Sequence, residues 1–178
     1  MNTPPPINPT IQKAAEVEAT ALLMKNEPVP DDVALNVRNL GLWDTNFSQV
    51  GLLGNIKYLQ SIDLHSTKIE NFTPLHTLKY LVKLDLQNTA ITDLTPLAKL
   101  DNLQWLDLSD TKITNCAPLA RLGKLQSLDL SETGVTDLTP LAKLNKLQTL
   151  WLCGNKVTDW SPIVYVKDVN GRPDDWDV

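Results

Sequence analysis

The sequence predicts an α/β solenoid of stacked coils, in which a short strand and a short helical turn alternate, closed at its N-terminal end by a helix. Three observations carry this. The stretch LDLQNTAITDLTPLAKLDN from Leu84 returns forty-four residues later as LDLSETGVTDLTPLAKLNK from Leu128, with thirteen of nineteen positions identical. LDLSDTKITNCAPLARLGK from Leu106 keeps the same frame at half that spacing, so the period is twenty-two residues. Within each period the LxLx segment alternates with period two, as a strand with one buried face does. The TPLAKL segment instead spaces its apolar residues by three.

Taken in order, residues 1–9 contain four prolines and are expected to form a disordered N-terminus. From Thr10, IQKAAEVEATALLMK places Ile11, Ala15, Ala19, Leu22 and Leu23 along one helical face and stops before Pro28, so residues 10–36 are read as a helical N-terminal cap. The first apolar residue of each coil falls at Val37, Leu59, Leu81, Leu103, Leu125 and Leu147, giving six frames over residues 37–168. In the coil from Leu81 the apolar positions are Leu81, Leu84, Leu86, Ile91, Leu94, Leu97 and Leu100, and the pattern is LxxLxLxxTxIxxLxPLxxLxx. Thr73, Thr95, Thr139 and Ser161 each precede a proline, and a capping hydroxyl followed by proline at the first helical position is a helix start. The ninth position carries Thr45, Thr67, Thr89, Thr111 and Thr133, then Asn155, and an inward hydroxyl ladder bonded to the backbone of the turn is expected there. VNGRPDDWDV breaks the pattern, so residues 169–178 are read as a C-terminal cap or tail in which Trp176 packs over the last coil.

The six-fold LxLxxTxIxxLxPLxxL pattern resembles that of leucine-rich repeat proteins, in particular the twenty-two-residue bacterial type of the internalins, over about three quarters of the chain. Threonine stands where that family usually has asparagine in five of the six copies. The resemblance implies a right-handed solenoid with a parallel sheet on the concave face and short helical or extended segments on the convex face. It also implies a bacterial origin. A helical N-terminal cap is shared as architecture. No coil can bury its leucines alone, so stability comes from neighbours, and both ends need capping.

Composition sets further bounds. At 178 residues with 42% apolar and 21% charged residues, the chain suffices for one ordinary domain. No apolar run approaches the roughly 20 residues of a membrane span. MNTPPPINPT has neither a basic nor an apolar leader region, and a cytoplasmic location is expected. Cys116 and Cys153 have no metal-ligand spacing to histidines and read as ordinary thiols. No metal, nucleotide or haem motif is present, so no cofactor is expected. A net charge of -5 argues against a general nucleic-acid binder and suits a basic protein partner if the acidic groups cluster.

They do cluster. In each strand the third, fifth and seventh positions point outward onto the concave face. The third row is Asn39, Ser61, Lys83, Trp105, Ser127 and Thr149; the fifth is Gly41, Asp63, Asp85, Asp107, Asp129 and Trp151; the seventh is Trp43, His65, Gln87, Ser109, Ser131 and Cys153. Four aspartates thus stand in line, extended by Asp44, Asp110 and Glu132 one position beyond the seventh row. One reading is that they merely solvate the sheet and oppose edge aggregation. The other is a binding surface, favoured by Trp43, Trp105 and Trp151 on the same face, since exposed aromatics beside charge are enriched at interaction hot spots. The expected protein-binding set is Trp43, Asp63, His65, Lys83, Asp85, Gln87, Trp105, Asp107, Asp110, Asp129 and Trp151. Such a sheet, roughly 30 by 17 Å, offers about 500 Å², so a partner must also touch the loops around Lys68, Lys112 and Lys156 or bind weakly.

A triad of Ser61 or Ser66, His65 and Asp63 can be drawn, but an open concave sheet supplies neither a water-excluding pocket nor oxyanion donors, so no catalytic residues are expected. The leading expectation is a non-catalytic interaction module, such as an intracellular inhibitor or immunity-type protein. The alternatives are a self-associating scaffold and a host-interaction factor.

Overall fold

The computed structural model describes residues 4–171. The first three residues of the expected disordered segment, and Trp176 with its expected closing role, lie outside the described residues.

Helix α1 (Pro9–Met24) begins one residue earlier than the pattern suggests, because the Asn8 side chain accepts from the Thr10 N–H and Pro9 fits the first helical position. It buries Ala15, Ala19 and Leu23 over the first coil. A second short helix, α2 (Asp31–Ala34), follows Pro30. Two polar anchors fasten this cap. Glu16 Oε1 accepts from the backbone and side-chain amides of Asn39, each at 2.9 Å, satisfying donors at the edge of the sheet. Arg38, 4% exposed, donates to the carbonyls of Leu35, Val37 and Pro5 and lies 5.1 Å from the Tyr58 ring centre. The proline-rich approach to α1 is therefore tied to the first coil.

Seven three-residue strands form one parallel sheet in chain order: β1 (Asn39–Gly41), β2 (Ser61–Asp63), β3 (Lys83–Asp85), β4 (Trp105–Asp107), β5 (Ser127–Asp129), β6 (Thr149–Trp151) and β7 (Asp168–Asn170). From β1 to β6 the register advances one period per strand, Asn39 opposite Ser61 and Lys83 opposite Trp105. The chain is a right-handed solenoid with this sheet on its concave face and the helical turns on its convex face. These turns are 3₁₀, Thr95–Lys99 being typical. Leu94, Leu97 and Leu100 repeat by three, which matches three residues per turn and turns all of them inward. Leu81, Leu84, Leu86, Leu97, Leu100 and their counterparts in other coils are 0–5% exposed and form one continuous core along the stack. Full burial of each such side chain contributes about 1.5–3 kcal/mol, available only between coils.

The structure departs from the sequence reading in three places. First, the sheet gains a seventh strand. Thr149 pairs with Asp168, nineteen residues on, because the strand follows the start of the last helical turn, Ser161, by seven residues where Thr149 follows Thr139 by ten. The segment read as a tail from residue 169 therefore begins inside the sheet. Second, the hydroxyl before each proline is not the cap. The capping acceptor stands two residues earlier: Asn71, Asp93, Asn115, Asp137 and Asp159 accept from the backbone N–H of Thr73, Thr95, Ala117, Thr139 and Ser161. The hydroxyls of Thr95, Thr139 and Ser161 add to this, and together with the N–H bonds they hold Asp93, Asp137 and Asp159 below the usual carboxylate range. Third, the strands end at the fifth position, so the seventh row belongs to the turn that follows.

The ninth-position ladder is present. Thr45, Thr67, Thr89, Thr111 and Thr133 each donate to the leucine carbonyl three residues back, at 2.5–2.7 Å. Asn155 closes the row by donating to Thr133 Oγ1 and the Val135 carbonyl. The threonine bond turns the chain off the sheet while giving the inward leucine carbonyl a donor.

Candidate functional site: the acidic concave face

Side chains on a strand alternate faces, so in β1 to β6 the first and third residues share the concave surface while the middle leucine or isoleucine is buried. Parallel pairing then aligns the rows: Asp63 beside Asp85, Asp85 beside Asp107, Asp107 beside Asp129, and Asp129 beside Trp151. β7 adds Asp168 to the third row and Asn170 to the fifth. Each of the four aspartates is half-buried by its neighbours.

The aspartates also have a local duty that the residue pattern alone did not reveal. Oδ1 of Asp63, Asp85, Asp107 and Asp129 accepts the backbone N–H two residues on, from His65, Gln87, Ser109 and Ser131 at 2.8–3.1 Å. These are Asx turns ending the strand. The signal in the sequence was the fixed spacing of Asp just after the buried position and just before the turn. Ser109 also donates its hydroxyl to Asp107 and is 6% exposed, so it folds back instead of facing outward with its row.

Local bonding does not remove the charge. Burial pushes the Asp85 carboxyl above its ordinary value, the Gln87 N–H opposes this, and Asp107 and Asp63 on either side add to the rise. Asp129 is raised in the same way, by burial first and then by Asp107 and Asp110. Among the described residues the only ion pair is His65 Nδ1 to Asp63 Oδ1 at 2.9 Å, and no Lys or Arg lies within pairing distance of the row. Like charges on neighbouring strands about 4.8 Å apart repel by roughly 1 kcal/mol in water and more where solvent is thinned. That repulsion is not offset by a Lys or Arg partner among the described residues.

Aromatic groups frame the row. Trp43, 54% exposed, stacks on the His65 imidazole with ring centres 5.5 Å apart and planes 13° apart. Trp105 stands on the same face of β4 as Asp107, between Lys83 and Ser127, and Trp151 closes the row beside Asp129; both are half-buried. Gln87 Nε2 donates to Asp110 Oδ2 of the next coil at 3.2 Å. Asp44, Asp110 and Glu132, the residues extending the acidic strip, all have φ between 51° and 56°, as do Ser66 and Asn88 in the same position. They form the left-handed corner of each turn, and Gly154 takes that place in the last coil.

Ligand atoms of Asp63, His65 and Asp85 lie within 4.8 Å of one another. His65 Nδ1 and the Asp63 and Asp85 oxygens already bond within the face, and nothing further points to a metal. Cys116 is buried, its thiol pushed up to about 11 chiefly by burial, and Cys153 is exposed with Sγ 3.2 Å from Asn170 Oδ1.

Comparison with known proteins accords with this architecture. Residues 123–165 match the family model described as leucine rich repeats (2 copies). No curated protein sequence matches the chain. Among solved structures, an internalin (inlF) from Listeria monocytogenes aligns at 22% identity and a TM-score of 0.68, over 95% of this chain and 57% of that one. An internalin C2 (inlC2) from the same species aligns at 26% identity and 0.65, over 91% of each chain. The ectodomain of the plant receptor kinase GASSHO1/SCHENGEN3 from Arabidopsis thaliana, solved in complex with CASPARIAN STRIP INTEGRITY FACTOR 2, aligns at 23% identity and 0.59, over 74% of this chain and 17% of that one. The chain spans little more than half of the first of these structures.

Proposed function

We propose that this leucine-rich repeat solenoid of internalin-like build is a non-catalytic module that holds a basic protein on its concave face. The fold is typical of protein-protein interaction modules, and the plant ectodomain named above was solved in complex with CASPARIAN STRIP INTEGRITY FACTOR 2. One observation carries the finer reading: four half-buried carboxylates in register, without a Lys or Arg partner among the described residues, flanked by Trp43, Trp105 and Trp151. A guanidinium or ammonium group brought there relieves like-charge repulsion and gains charge-assisted bonds, and the tryptophan faces supply cation–π and apolar contact. Strands of only three residues make the sheet narrow, so the partner also engages the turns that carry Gln87, Asp110 and Lys112. An intracellular inhibitor or immunity-type protein that neutralises a basic toxin or nuclease suits this chemistry.

The test separates charge from fold. Asparagine keeps the Oδ1 acceptor of each Asx turn while removing the negative charge, so Asp85→Asn, Asp107→Asn and Asp129→Asn combined should leave the fold intact. Capture from the source lysate should return a basic protein in stoichiometric amount with the wild type, and lose it with this triple variant and with Trp105→Ala. Equal capture by all three proteins refutes the assignment of the concave face.

A further inference from the structure

The chain's charge is divided across the width of the solenoid, independently of the concave row. Residues at the nineteenth to twenty-second positions of the six coils run from the helical turn back to the next strand and form one flank. Apart from Asp168, which belongs to β7, they hold eight of the sixteen Lys and Arg residues and one of the twenty-one acidic ones, which leaves this flank at +7 and the rest of the chain at -12. Arg121, Lys143, Lys146 and Lys167 are exposed on it, and none of its cations forms an ion pair among the described residues. The seventh to thirteenth positions leave the strand on the opposite flank, with seven acidic residues against three lysines.

Both flanks step once per coil. On the basic side Tyr58 meets Tyr80 with ring centres 5.3 Å apart, and Lys124 Nζ donates to Asn102 at 2.7 Å, each pair joining equivalent positions of consecutive coils. On the acidic side Asn88 donates to Ser66 in the same way at 3.0 Å. The two rows therefore share one pitch. The flanks of two copies are congruent arcs, so copies laid side by side bring a basic and an acidic row together in step.

We propose that the basic flank is an interface for a second copy of this chain, docked side by side with its acidic flank against the cations. Such contact is heterologous and leaves both the concave face and an outer flank open, so it propagates into stacks. At an ionic strength of about 0.1 M the screening length is about 10 Å, long enough for facing rows to attract while the net charge of -5 is largely screened. Solvent-exposed pairs are individually weak, so the association is reversible and depends on many of them together.

Charge reversal on each flank tests this. One variant carries Arg121→Glu and Lys143→Glu; the other carries Glu70→Lys and Glu132→Lys; all four positions are exposed. In sedimentation equilibrium at about 0.1 M salt, the wild-type mass should climb with concentration above the 19.8 kDa of one chain, and association should weaken roughly tenfold or more near 1 M salt. Each variant alone should stay monomeric. Their equimolar mixture should stop at two copies, because the unaltered acidic flank of the first variant meets the unaltered basic flank of the second, while the two altered flanks have lost most of their charge and no longer attract. That rescue also shows that both variants are folded. A wild type that stays monomeric throughout, an association that survives either reversal or high salt, or a mixture that fails to pair overturns the proposal. Concave-face binding of a basic partner is unaffected by all of these outcomes.

Discussion

Removing the hydroxyl of Thr111 while keeping its shape, in Thr111→Val, isolates the bond that turns each coil off the sheet. Thr111 is 5% exposed and donates to the Leu108 carbonyl at 2.6 Å, and no other described group donates to that carbonyl. Valine fills the space and leaves a buried acceptor without a donor, which costs about 1–3 kcal/mol. In a chain of this size that lowers the melting temperature by roughly 2–4 °C per kcal/mol. Urea unfolding followed by circular dichroism measures the loss directly, and the slope should not change. Thr111→Ser, which keeps the donor and gives up only a methyl group, should fall much closer to the wild type. If valine costs less than about 0.5 kcal/mol, or costs no more than serine, the ladder is not what supports the turn.

Further predictions follow from the same geometry. Asp85→Asn with Asp129→Asn should stabilise the protein at neutral pH, because both carboxyls are raised in the folded state and their ionised forms are disfavoured there. The sign is set by those shifts: the penalty is full above the folded values, fades as pH falls through them, and is gone below the ordinary aspartate value. The advantage of the double variant in pH-dependent melts should therefore shrink on acidification. Asp93→Ala should act oppositely, since the stability from its depressed carboxyl is present above the ordinary value and lost as pH falls through the folded one. Its melting temperature should drop at neutral pH and converge on that of the wild type in acid. Gly154→Ala should cost about 1–2 kcal/mol in urea melts, because φ is 78° there and an added Cβ comes within 2.5 Å of the Glu132 carboxylate, which must swing aside. Glu16→Ala should unfasten α1 from the sheet edge, seen as faster hydrogen exchange at the Asn39 amide.

Much of this fold was written in the period itself. Leucines at fixed positions and the inward threonines dictated strand, turn and stack, because each coil repeats the same burial problem. The seventh strand was hidden since the path from helical turn to strand, ten residues from Thr139 to Thr149, is only seven from Ser161 to Asp168, so Asp168–Asn170 no longer keeps the frame. Arg38 was equally illegible. A lone arginine at the second position of the first coil gives no hint that it will be buried, and only the meeting of Leu35, Pro5 and Tyr58 around it explains its place. The third and fifth concave rows could be read residue by residue from strand alternation, whereas the seventh lies in the turn beyond the strand. That the aspartates also hold the strand ends, and that Ser109 folds back onto Asp107, depended on the path of the turn.

The central claim, that the concave carboxylates hold a basic partner by charge, is tested most directly by the salt dependence of that partner's affinity for the wild type and for the Asp85→Asn, Asp107→Asn, Asp129→Asn variant. The account predicts weaker binding by the variant, roughly tenfold or more, with a shallower dependence on salt at unchanged fold. Equal affinity and an equal salt slope for the two proteins would contradict it.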